Sequence, residues 1–338
     1  MTGPRATARL GESIPEVFRR MAEDSFARGG SPLYARLARE HADDPLVAEI
    51  AADHKPRWEV PFRLFGGVHY LALTGTVDDP WSRFGDVLAE QREWLSRFVA
   101  EQPVQTNEVQ RCWALLPAFL TVADERPLDL VELGPSAGLN LFWDRYGYRY
   151  GEMTWGRVDA ELQLSGTTVG GPPADLLARE ATVRSRVGID KTPIDVTDGD
   201  EALLLQAFVW ADQRVRLERL RRAIELARRD PPRLVRGDYV DVLPEVLGGR
   251  DPDALTLVFN SATASYLPRH DRARLEASIV DAGTTGSLAW VSYEFVGDDD
   301  ELGDSFEEAF ALEVRKWPDG RRELLARTDG HGNRLRWL

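Results

Sequence analysis

The stretch "LDLVELGPSAGLN", Leu128 to Asn140, decides how the rest of the chain is read. Its first half is an apolar run of strand length. Its second half is a small-residue turn that opens into a helix beginning near Ala137. Gly134, Ser136 and Gly138 spell G-x-S-x-G, the pattern of a nucleophile elbow in which the serine attacks a carbonyl. The same small residues would also let a backbone approach a ligand closely and turn into a helix. The surrounding sequence has to choose between the two.

Outward from Leu128 the texture changes. Upstream, residues 1 to about 125 read as a helical domain. Ser13 with Glu16 makes a capping box ahead of Val17, Phe18 and Met21, and Ser31 precedes a proline at the first helical position. Further helical patterns run over 44–52, 85–100 and 106–122, while the aromatic-rich 58–73 suits helix or strand. Downstream, "LDLVEL", "SRVGID", "PRLVRG", "ALTLVFN" and "SLAWVSYE" are strand candidates, and helical patterns lie between several of them. A roughly 148–182 insertion separates the first two. "ALEVRKWPDGRRELLARTDG" reads as two strands around the Pro318-Asp319-Gly320 turn, with more β-like chain to Trp337. The expected fold is α/β and Rossmann-like. Residues 126–338 form a mostly parallel, doubly wound sheet with a C-terminal antiparallel hairpin, preceded by the helical N-terminal domain of 1–125.

Composition limits the partners. The chain has 338 residues, a formal net charge of −14, 43% hydrophobic and 29% charged residues, and one cysteine, Cys112. Phosphate backbones would be repelled overall, so no nucleic-acid partner is expected. The arginine-rich 214–236 reads as a solvated helix face, and the acidic run from Gly297 as an exposed loop. No segment approaches the ~18 consecutive apolar residues of a membrane helix, and "MTGPRATARL" lacks the apolar core of a secretory signal. A cytoplasmic location without membrane contact is the expectation. The five histidines show no metal-ligand spacing, and no metal site is expected.

As a nucleophile, Ser136 needs a histidine and an orienting acid. His331 has the right place in chain order, and Asp298 to Asp300 could supply the acid. Against this stands the helical chain upstream of Leu128, since an elbow of this type follows several strands. As part of a cofactor loop, Glu132, Gly134, Ser136, Gly138 and Asn140 resemble the acidic, glycine-rich first loop of an S-adenosylmethionine-binding domain. The helix N-terminus would then receive the methionine carboxylate. Asp190 ends the next strand, where a ribose-hydroxyl acceptor belongs, and Asp238 follows the third, where the adenine is commonly held. "LTLVFNSATASYLP" runs from a fourth strand into a polar loop at the edge of an acceptor pocket. These features favour Ser136 as a loop residue.

The stretches "QTNEVQRCWALLPAF", "VELGPSAGLNLFWDRYGY", "PIDVTD", "VRGDYVDVLP", "SATASYL" and "HGNRLRWL" resemble a bacterial family catalogued as domain of unknown function 2332. The resemblance spans 105 to 338 and implies a core like that of the class I methyltransferases, with no reaction attached. The family pattern favours histidine before the serine of the fourth strand, where this chain has Asn260 before Ser261. That departure puts proton abstraction at this position in question.

The expected function is that of an S-adenosylmethionine-binding, methyltransferase-like protein acting on a small-molecule acceptor. The alternatives are a serine hydrolase using Ser136 and His331, and a non-catalytic Rossmann module. Candidate catalytic residues are Glu294, at the end of the fifth strand, with Tyr266 and Asn260. Asn107, Glu108 and Arg111 could bind the acceptor or cap the helix that follows them, and Asp144 and Arg145 are expected in structural pairs. His331, between two glycines, otherwise reads as a turn residue.

Overall fold

The apolar runs downstream of Leu128 close on one another as strands. A computed structural model describes residues 11–51, 54–296 and 308–338. The first ten residues, most of the acidic run after Val296 and the triad acid sought at Asp298 to Asp300 lie outside the described residues. The chain divides into two compact units, residues 1–106 with 195–221, and residues 107–194 with 222–338.

The first unit is helical. Ser13 Oγ accepts from the Glu16 N–H, and the Glu16 carboxylate returns a bond from the Ser13 N–H at 2.7 Å, so the capping box starts helix Ile14–Met21. Ser31 caps helix Pro32–Glu40 through the Tyr34 N–H. The aromatic-rich segment is helix Val60–Leu73, with a proline in its first turn and nearly every side chain buried. Gly66 leaves room for Phe208, whose ring atoms lie 2.9 Å from where a Cβ would stand. Phe26 meets Tyr34, Phe62, Phe65 and Trp210 edge-on at ring separations of 5.4 to 5.7 Å, so residue 210 completes a core begun near residue 14.

The second unit is built on a nine-stranded sheet. In chain order its strands are β1 (Leu128–Leu133), β5 (Thr167–Val169), β6 (Val183–Asp190), β7 (Arg233–Arg236), β8 (Leu255–Ser261), β9 (Leu288–Phe295), β10 (Phe310–Lys316), β11 (Arg321–Thr328) and β12 (Arg334–Trp337). The insertion also supplies β2 (Gly147–Tyr150), β3 (Met153–Trp155) and β4 (Gln163–Ser165), which make a separate three-stranded sheet. The large sheet runs β5-β12-β11-β10-β9-β8-β1-β6-β7. The β7-β6-β1-β8-β9 block is parallel throughout, and β9, β10, β11 and β12 pair antiparallel in turn. The fold is thus α/β with a large, mostly parallel sheet, and the hairpin at Pro318–Gly320 stands where the sequence places it.

Side-chain alternation assigns the two faces of the sheet. Val131, Leu133 and Val258 pack with Tyr239, Leu243, Leu275 and Ile279 of helices Tyr239–Gly248 and Arg269–Thr285. The intervening Glu132 and its register partner Phe259 face the other way. There Phe119 of helix Arg111–Val122 meets Phe259 edge-on at 5.1 Å. That helix is buried on every side except Thr121, as its mostly apolar sequence requires. The block of five parallel strands has the third, second, first, fourth, fifth order of a doubly wound sheet. Its switch point lies between β1 and β8.

Candidate functional site

In open α/β sheets ligands gather outside the carboxyl ends of the strands at the switch point. Here that place is formed by the Gly134–Gly138 loop after β1 and the Ala262–Tyr266 loop after β8. Both loops hold left-handed backbone. φ is 67° at Gly134, 56° at Ser136, 72° at Gly138 and 56° at Ala262. For Ser136 and Ala262, which carry a Cβ, that conformation costs of order 1 kcal/mol or more and persists only where the surroundings impose it.

The surroundings can be named. The Ser136 N–H donates to Asp190 Oδ2 at 2.8 Å, the Ser136 carbonyl accepts from the Ile194 N–H, and the Gly134 N–H donates to the Ile189 carbonyl. Asp190 Oδ1 accepts from the Thr192 N–H at 2.9 Å. The acid expected to meet a ribose therefore also fixes the loop after β1. Each of its oxygens keeps a second lone pair for a ligand hydroxyl. Gly134 is needed at its position, because a Cβ there would sit 2.7 Å from Thr263 Cγ2.

The loop does not lead into an α-helix. Leu139–Arg145 is a short 3-10 segment, and its first N–H, that of Leu139, is taken by Asn107 Oδ1 at 3.0 Å. The helix N-terminus expected to receive a carboxylate is therefore absent, because "LNLFWDR" buries its aromatic side chains in a tighter turn. Asp144 and Arg145 form the structural pairs expected of them, with Arg186 and Asp230.

Beneath the loop, Glu132 is 1% exposed. Its Oε1 accepts from Asn140 Nδ2 at 3.3 Å, and its Oε2 has no partner. Burial, with a smaller push from the Asp190 charge, raises its carboxyl to about 8, against the pull of Asn140 and Arg111. Ser136 Oγ is likewise buried and unpartnered. It therefore makes no hydrogen bond to His331, and its oxygen is not presented at the surface as an elbow nucleophile's must be. Cys112 donates to Asn140 Oδ1 at 3.3 Å, and burial next to Glu132 and Glu108 pushes its thiol well up, which keeps it an unreactive thiol.

Two positions along, Asp238 caps helix Tyr239–Gly248 through the Val240 N–H and pairs with Lys191 Nζ at 2.9 Å. Partial burial works against its charge, but these two partners outweigh it and lower its carboxyl.

At the loop after β8, Glu294 Oε1 accepts from Asn260 Nδ2 and from the N–H groups of Thr263 and Ala264, at 2.7 to 3.0 Å. Its Oε2 accepts from the N–H and the hydroxyl of Ser265. Five donors on one carboxylate make Glu294 the clasp of the Ala262–Tyr266 loop. Asn260 is fully buried between Glu294 and the Trp290 indole N–H, which donates to its Oδ1 at 2.7 Å. Tyr266, 43% exposed, is the most exposed of the three.

Asn107, Glu108 and Arg111 are buried and bond to main-chain atoms. Glu108 Oε1 accepts from the Gln110 N–H at 3.2 Å. Arg111 Nη1 donates to the Ser261 carbonyl and Nε to the Gly330 carbonyl, both at 3.0 Å. Gln110, which the sequence does not single out, donates to the carbonyls of Ser165 and Gly332. This segment braces the loop, the end of β8 and the Asp329–Asn333 turn. Among the described residues no group of three or more His, Cys, Asp or Glu is placed to hold a metal, and no helix is long and apolar enough to cross a membrane.

A family model described as "uncharacterized protein conserved in bacteria (DUF2332)" matches residues 15–337. No curated protein matches the chain.

Proposed function

We propose that this chain, which belongs to the DUF2332 family of bacterial proteins, binds S-adenosylmethionine and is a methyltransferase-like protein acting on a small-molecule acceptor. The observation that carries the reading is the row of acids Glu132, Asp190 and Asp238 at the carboxyl ends of the adjacent parallel strands β1, β6 and β7, around a loop of left-handed residues. The donor set suits such a ligand. Glu132 Oε2 and Ser136 Oγ lack partners, and Asp190 keeps lone pairs for hydroxyl groups. Asp238 likewise takes one donor on each oxygen, from Val240 and Lys191, and keeps lone pairs for an adenine amino group.

The bound cofactor would supply a methyl group on a sulfonium centre. The chain's own contribution is placement. Asp190 fixes the loop, Glu294 fixes the facing loop, and Tyr266 stands open on the acceptor side. Orientation of this kind suits an in-line displacement that asks little acid–base help.

A thermal-shift series with S-adenosylmethionine, S-adenosylhomocysteine, NAD and ATP tests the reading. A ligand at ~100 times its dissociation constant stabilises by ~2.7 kcal/mol, a rise of several degrees. A rise with the two S-adenosyl compounds alone, lost in Asp190→Ala with the fold retained by circular dichroism, is the expected result. A rise with NAD or ATP instead moves the site to another nucleotide, and no rise with either S-adenosyl compound overturns the reading.

A further inference from the structure

A carboxylate or phosphate on a loop such as that after β1 is held by several backbone N–H groups that converge on it. Here those groups are largely committed. Gly134 donates to the Ile189 carbonyl, Ser136 to Asp190 Oδ2, Gly138 to the Pro135 carbonyl and Leu141 to the Gly138 carbonyl. The Leu139 N–H, at the head of the 3-10 segment, donates to Asn107 Oδ1 at 3.0 Å, and Asn107 is itself buried. The N–H groups of Ala137 and Asn140 flank that of Leu139 in the chain. An anion that bridged them would meet the Asn107 oxygen and its partial negative charge.

Side chains offer an anion no better reception. Arg111 is engaged by the Ser261 and Gly330 carbonyls, Lys191 by Asp238, Arg236 by the Lys191 carbonyl and Arg272 by the Ser265 carbonyl. Asp190 and Asp238 meanwhile set two carboxylates at the ends of neighbouring strands. A further negative charge brought to this edge is repelled.

We propose that this site takes adenine nucleosides whose 5′ chain carries no anionic group, and that Asn107, by holding the Leu139 N–H, sets this preference. Ribose hydroxyls find lone pairs on Asp190, and an uncharged or cationic 5′ chain escapes the repulsion that a carboxylate or phosphate meets. The amino-acid carboxylate of S-adenosylmethionine then adds nothing to binding, and the phosphates of ATP count against it. The inference rests on the cofactor reading above, since it takes the nucleoside part of that ligand as bound at this edge.

Titration calorimetry of the full chain at pH 7 compares S-adenosylhomocysteine with its decarboxylated counterpart, S-adenosyl-3-thiopropylamine, which differs only in lacking the carboxylate. The decarboxylated compound should bind at least as tightly. A carboxylate received by a backbone N–H would instead make S-adenosylhomocysteine about tenfold the tighter ligand. Asn107→Ala bares the Leu139 N–H and should turn the ratio toward S-adenosylhomocysteine by about fivefold to tenfold. S-adenosylhomocysteine as the tighter ligand of the wild-type chain overturns the inference and leaves the cofactor reading standing. An unchanged ratio in Asn107→Ala, with the fold retained by circular dichroism, also overturns it. Binding of neither compound overturns both. The wild-type comparison decides the matter even if the variant fails to fold.

Discussion

At the scale of single residues, Glu132 has a consequence for stability that needs no ligand. Its folded carboxyl, near 8, lies above its ordinary value of 4.5, so the folded state holds a proton that the unfolded state has lost over that interval. The contribution is complete below about pH 4.5 and fades as pH rises through 8, by at most ~1.4 kcal/mol per pH unit. Glu132→Gln carries no such proton. Melting curves of the two proteins from pH 5 to 9 should therefore diverge, the wild type losing ground steadily up to about pH 8 and the gap then staying constant. Parallel curves would mean that Glu132 is ionised and paired in the fold.

At the scale of elements, the two loops at the switch point are held by different means. The β1 loop depends on absent side chains. Gly134→Ala forces a Cβ to within 2.7 Å of Thr263 at a φ of 67°, and should lower stability by ~2–3 kcal/mol in urea unfolding. The β8 loop depends on one carboxylate. Glu294→Ala strips the N–H groups of Thr263, Ala264 and Ser265 of their acceptor and should lower stability by ~2–4 kcal/mol, with faster amide exchange at those three positions. The strands themselves were legible in the sequence. "LDLVEL", "ALTLVFN" and "SLAWVSYE" are apolar because β1, β8 and β9 are covered on both faces, and the Pro-Asp-Gly turn marks the β10–β11 hairpin. The residues at their ends could be picked out as well. Their partners could not. Glu294 meets donors about 30 positions upstream, and Asn107 meets an N–H 32 positions downstream, so no local pattern encodes either bond. The short 3-10 turn at Leu139–Arg145 was hidden for a related reason, since "LNLFWDR" has helical residues and only their burial tightens the turn.

At the scale of the whole molecule, the two units are interleaved along the chain. Residues 195–221 leave the second unit between β6 and β7 and supply Phe208 and Trp210 to the first. A fragment starting at residue 107 would carry both aromatic side chains without the Phe26, Phe65 and Gly66 surroundings that bury them. Such a fragment should bind a hydrophobic dye and associate in gel filtration, whereas the full chain should do neither. A fragment that stays monomeric and dye-free would mean that 195–221 finds its cover within the second unit.

The same interleaving sets an order for synthesis. The helices up to residue 106 leave the ribosome without Trp210, the ring against which Phe26 packs. At about 5–20 residues per second, the ~100 residues between them take ~5–20 s to appear. For that interval the nascent N-terminal helices present an open apolar face, while β1 and β6, already emerged, can pair before the first unit closes. The last-made half of the sheet and the first-made helical core thus wait on the same short segment. Translation through 195–221 is the step at which the N-terminal core can first close.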